Sequence, residues 1–126
     1  WIVSFACWLV ILCLLSSRPS VHTPGFGFPH VDKLLHFGWF FGGAGLLSAA
    51  IYGRTTGTFR WKHVLWVTVT IALIGWADEI HQTYTEGRDG KSLGDWVADA
   101  VGGLVGALVF RRVQPKVFRD HDTNHG

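Results

Sequence analysis

The sequence falls into four apolar segments separated by short polar ones, and this layout constrains the fold more than any other feature. The second and third segments, residues 33–52 and 63–82, each approach the twenty or so residues that a helix needs to cross a bilayer. The fourth covers residues 93–110. The first, residues 1–15, reaches only about 22 Å at 1.5 Å per residue, against a hydrocarbon core of roughly 30 Å. It is expected to continue upstream, because the chain opens on Trp1 rather than Met. A signal-peptide reading of this segment lacks an Ala-x-Ala-like site; Ser16-Ser17-Arg18-Pro19 follows instead. The expected fold is all-α, a single 126-residue domain built as a bundle of four transmembrane helices. A polar C-terminal tail, 111–126, follows, in which Pro115 should end any helix.

Composition agrees with a membrane protein. Apolar residues make up 48% of the chain, yet mean hydropathy is only +0.26, because they are gathered into blocks. Charged residues are 16%, well below the roughly 25% of soluble domains. Sixteen glycines and seven tryptophans fit the enrichment of transmembrane helices in Gly and of membrane interfaces in Trp. A net charge of +2 is too small to argue for nucleic acid. Cys7 and Cys13, six apart in one apolar segment, have no metal-ligand spacing.

Basic residues set an expected orientation. The loop 53–62 holds Arg54, Arg60 and Lys62, and the tail holds Arg111, Arg112, Lys116 and Arg119. The other two loops hold Arg18 with Lys33, and Arg88 with Lys91 among carboxylates. This asymmetry puts both termini in the cytoplasm of a multi-pass inner-membrane protein and turns the Asp/Glu/His-rich loops outward. Trp61, Trp96 and Trp39 are read as an aromatic belt.

Charged residues inside apolar helices demand a reason, since an Asp at a helix centre costs about 2.5–3.5 kcal/mol on insertion scales. On the fourth segment Asp95 and Asp99 are four apart, and Gly102 and Gly106 continue their stripe. That face should turn into the bundle, with Gly102-x-x-x-Gly106 allowing close helix contact. On the second, Asp32 and His36 are four apart with Gly43 on the same stripe, and Gly38-x-x-x-Gly42 offers another close-contact surface. On the third, Asp78 and Gln82 are four apart, with Glu79 and His81 alongside. Three helices thus carry polar residues to one level.

A structural explanation covers some of them. Asp32 and Asp95 suit helix N-termini, where the macrodipole favours an acid, and Lys33 can snorkel to the interface. Asp78 and Glu79 lie at the disfavoured end and call for a counter-charge from Arg88, His36 or Lys33. Thr68 and Thr70 are read as helix–helix hydrogen-bonding residues. His22 and His30 match no recognised metal spacing, and His121 and His125 are expected in a disordered end.

At these positions the chain resembles the VanZ-like family of small membrane proteins, named for a member associated with low-level resistance to the glycopeptide antibiotic teicoplanin. Asp32-Lys33-Leu34-Leu35-His36-Phe37 is similar to the family's D-K-x-x-H-F. Asp78-Glu79-Ile80-His81-Gln82 is similar to D-E-x-x-Q, Gly87-Arg88 to G-R, and Asp95-Trp96-Val97-Ala98-Asp99 running into Gly102 to D-x-x-x-N/D-x-x-G. The resemblance covers roughly residues 30–110. Two departures stand out: Asp99 where many relatives carry Asn, and Glu86 where relatives often carry Pro. The resemblance implies a polytopic envelope protein and supplies no reaction.

Two functional expectations follow, with a structural one beside them. In the first, an extracytoplasmic-facing site of Asp32, Lys33, His36, Asp78, Glu79, Gln82, Arg88, Asp95 and Asp99 binds or modulates an envelope lipid, a lipid-linked cell-wall precursor or a lipoglycopeptide. Arg88 and Lys33 would meet phosphate, and the carboxylates amine or hydroxyl groups. In the second, the protein is a membrane-embedded hydrolase or transferase whose catalytic candidates are His36, Asp78, Glu79, Arg88 and Asp99: Glu79 or Asp78 as base, His36 as its partner, Arg88 stabilising developing charge. No cofactor and no metal site is assigned from the residues; a metal-assisted form of the second reading would use His36, Glu79, Asp95 and Asp99 as ligands for Mg²⁺, Mn²⁺ or Zn²⁺. The third reading has the polar residues orienting the helices through buried ion pairs.

Overall fold

A chain that crosses lipid must satisfy its backbone N–H and C=O groups internally, and helices do so within each segment. The computed structural model describes residues 1–19, 31–55, 58–87 and 92–119, the last stretch without the side chains of Val117 and Arg119. Four helices follow in order: α1 (Ile2–Ser16), α2 (Val31–Tyr52), α3 (Trp61–Gln82) and α4 (Leu93–Arg119), with no strand among the described residues. Three of them, α2, α3 and the Leu93–Lys116 part of α4, are long and apolar enough to cross a membrane. The protein is an all-α membrane bundle. Large apolar side chains on its outside, such as Leu65, Trp66 and Leu73, are about two-thirds exposed, as a lipid-facing surface requires.

Glycines decide how the helices meet. On α4, a Cβ at Gly102 would stand 2.5 Å from the Phe37 carbonyl oxygen of α2, and one at Gly106 would stand 2.6 Å from that of Phe41. The expected close contact along this stripe is therefore present, and it joins α4 to α2. Gly103 turns instead to Ile71 of α3. The expected second contact surface at Gly38 and Gly42 meets no other helix among the described residues: a Cβ at either would find nothing within 4 Å. The side of α2 that receives α1 lies at Gly43, which meets the Trp8 ring. Trp8 also donates its Nε1–H to the Trp39 carbonyl at 3.1 Å and stacks on the Trp39 ring. Trp39 thus belongs to the α1–α2 contact.

Two further expectations change. Thr68 bonds to the Val64 carbonyl of its own helix rather than across helices. The tail does not break at Pro115, and α4 runs through it to Arg119. Proline removes one helix hydrogen bond and crowds the preceding turn. Here the extra turn is held by ring contacts of Phe118 with Tyr52 and Phe110, and Arg111 lies 4.0 Å over the Trp61 ring. At the start of α3 the Arg60 amide donates to His63 Nδ1 at 2.9 Å, and the Arg60 carbonyl accepts the His63 amide at 2.9 Å.

Candidate functional site

The first half of α2, the end of α3 and the start of α4 lie at one end of the bundle, and their polar residues converge there. His36, Glu79 and Asp99, one from each helix, bring ligand-type atoms within 4.8 Å of one another. Asp99 is fully buried and Glu79 is 1% exposed. Asp99 has room at this depth because α3 carries Gly75 opposite it.

Each of the two carboxylates is held by one oxygen. Asp99 Oδ1 lies 2.9 Å from His36 Nδ1. Glu79 Oε2 accepts the Ser92 backbone N–H at 3.0 Å. Ser92 precedes α4, and its hydroxyl accepts the Asp95 amide at 3.2 Å, so it works as an N-cap. In a capping box the acid on the first turn takes the cap residue's own N–H. Here Glu79 of α3 takes it instead, tying the end of α3 to the start of α4. The remaining oxygens, Glu79 Oε1 and Asp99 Oδ2, are buried with no hydrogen-bond partner among the described residues.

Asp95, one turn before Asp99, forms an ion pair with Lys33 at 3.4 Å. Lys33 is therefore turned across α2 onto α4, over Gly94, and not simply extended to the interface. Asp32 is exposed, and with His36 and Asp95 it makes a second cluster of ligand-type groups.

Asp78 points the other way, toward α1. Ser16 Oγ donates to its Oδ1, and Gln82 Nε2 donates to its Oδ2 at 2.8 Å. Among the described residues, Asp78 meets two neutral donors rather than the expected counter-charge, because the end of α1 reaches its level. Thr85 extends the contact by donating to the Ser16 carbonyl at 3.3 Å, and Ser17 Oγ lies 3.0 Å from His81 Nε2. His81 itself is exposed.

Between α1, α2 and α3 runs a cleft of about 310 Å³. Leu12, Leu15, Leu35, Trp39 and Phe40 form its apolar walls; Asp32, His36, Asp78 and Gln82 form its polar part, with Ser16. His36 is shared by the cleft and the buried cluster.

Of the nine expected site residues, eight lie within this end of the bundle. Arg88 falls outside the described residues, as do His22, His30, His121 and His125. Three contributors had no flag in the sequence as site residues: Ser16, Ser92 and Gly75. The Ser16-Ser17 pair closing an apolar segment was the available signal for the first. Ser92 sits where a helix-capping serine belongs, just before α4. Gly75 has only its place one turn before Glu79.

Compared with family models, with curated proteins and with solved structures, the chain finds no match in any of the three.

Proposed function

We propose that this protein binds an amphiphilic molecule of the cell envelope: a lipid, a lipid-linked cell-wall precursor or a lipoglycopeptide. The observation that carries this reading is the cleft, which joins a wall of leucine and aromatic side chains to Asp32, His36, Asp78 and Gln82. An acyl or prenyl chain suits the first part and a polar head the second. Asp32 is the exposed carboxylate of that polar part, whereas both oxygens of Asp78 are already bonded. The head group favoured is therefore one that bears an amine. The resemblance to VanZ-like proteins supports an envelope amphiphile as the occupant.

Loop charge supports an extracytoplasmic cleft. Ring contacts between Phe59 and Phe110 and between Tyr52 and Phe118 gather the basic Arg54, Arg60 and Lys62 and the end of α4 at the other end of the bundle. Under the positive-inside rule that end is cytoplasmic, with both termini. The membrane proposed is the inner membrane, which has a cytoplasmic face.

A membrane-embedded hydrolase or transferase acting on a lipid-linked substrate is the second reading. The observation in its favour is an imidazole at the cleft, His36, oriented by the buried Asp99 carboxylate, which is how a general base is held.

Thermal unfolding of the detergent-purified protein with short-chain phosphatidylethanolamine or phosphatidylglycerol tests the proposal. The amine-bearing lipid is expected to raise the melting temperature more, and Asp32→Asn to remove that difference. Equal responses to both lipids, or to neither, would overturn it.

A further inference from the structure

The geometry points to a divalent-cation site in which His36, Glu79 and Asp99 each supply one ligand atom. This goes beyond amphiphile binding and does not depend on it, although His36 contributes to both places.

Three observations carry the assignment. The ligand-type atoms of the three residues already lie within 4.8 Å of one another, brought from three separate helices. Both carboxylates are almost wholly shielded, at 1% and 0% exposure. Among the described residues, one oxygen of each, Glu79 Oε1 and Asp99 Oδ2, is buried without a hydrogen-bond partner, while the other is held by the Ser92 amide or by His36. Orphaned carboxylate oxygens are costly in a low-dielectric interior. One oxygen fixed by the protein and one left free is the condition in which a carboxylate is oriented to ligate.

Charge argues the same way. Two carboxylates and a neutral imidazole leave two negative charges, which one divalent ion neutralises. Among the described residues, the cation nearest at hand, Lys33, is already paired with Asp95. The mixed nitrogen and oxygen donor set favours a first-row ion such as Zn²⁺ or Mn²⁺ over Ca²⁺. Bonds of about 2.1 Å put the donors of a tetrahedral ion roughly 3.4 Å apart. The three ligand-type atoms, all within 4.8 Å of one another, need only a short closure to reach that spacing. The rival cluster of Asp32, His36 and Asp95 has an exposed member and one already paired with Lys33, so it is the weaker of the two.

The test uses the unaltered protein in detergent, stripped with EDTA and titrated with Zn²⁺. One ion per chain is expected by calorimetry, with a melting temperature that rises with Zn²⁺ concentration. Zn²⁺ is also expected to slow modification of His36 by diethyl pyrocarbonate, read by peptide mass spectrometry, which locates the ion without any substitution. Glu79→Gln and Asp99→Asn should each weaken the affinity by about tenfold or more, and His81→Ala should leave it unchanged. Co²⁺ in the same site should lack the thiolate charge-transfer band that Cys7 or Cys13 would produce. The assignment is overturned if the unaltered protein takes up no stoichiometric ion or if His36 is not protected. It is equally overturned if affinity survives Glu79→Gln and Asp99→Asn, or is lost in Asp32→Asn while Glu79→Gln retains it.

Discussion

Asp99 of α4 lies against the bare backbone of Gly75 on α3: a Cβ at position 75 would stand 2.8 Å from Asp99 Oδ2 and 2.9 Å from its Cβ. The fully buried carboxylate therefore depends on a missing side chain on the neighbouring helix.

Gly75→Ala should push Asp99 off His36. Alanine is favoured over glycine within a helix by up to about 1 kcal/mol, whereas overpacking a tight contact costs about 1–3 kcal/mol. The expected net effect is destabilisation, measured as a lower midpoint of denaturant unfolding in detergent. A midpoint equal to or above that of the unaltered protein would show that Asp99 has more freedom than its burial implies.

The two Gly-x-x-x-Gly stripes should behave oppositely. Gly106→Leu drives a side chain into the Phe41 carbonyl and the Ala44 methyl, so α2 and α4 must separate and the folded yield should fall sharply. Gly42→Ala meets nothing within 4 Å and should be neutral, or stabilising by up to about 1 kcal/mol. Comparable losses from both would place a helix contact on the Gly42 side.

Ser16 and Asp78 make the buried bond among those that tie the end of α1 to α3. Removing the hydroxyl with Ser16→Ala leaves a buried carboxylate oxygen without its donor, at a cost of about 1–3 kcal/mol. In a double-mutant cycle with Asp78→Asn the two losses should not add, because each breaks the same bond. Additive losses would mean that the two side chains act independently.

Much of the architecture was legible from the chain alone. Apolar length sufficed to locate α2 and α3 to within about two residues, because lipid permits few alternatives to a helix. Helical phasing likewise placed Asp95, Asp99, Gly102 and Gly106 on one inward face, as the contacts of Asp99, Gly102 and Gly106 bear out. Phasing says which residues share a face, not which helix that face meets. Gly38 and Gly42 therefore looked equivalent to Gly102 and Gly106, yet they open outward. Pro115 was read by its local effect, which the Phe118 contacts outweigh.

The polar end divides along the same line. Sequence by itself determined that Asp, Glu, His and Gln side chains from three helices would gather at one level, since each stands at a similar depth in an apolar segment. Only the tertiary structure decided their partners. Asp78 turns to Ser16 on α1, Asp95 to Lys33, and Glu79 and Asp99 to one buried position beside His36. The reason is physical: depth along a helix follows from counting residues, whereas the rotation and spacing of neighbouring helices follow from small-residue contacts made between segments far apart in the chain.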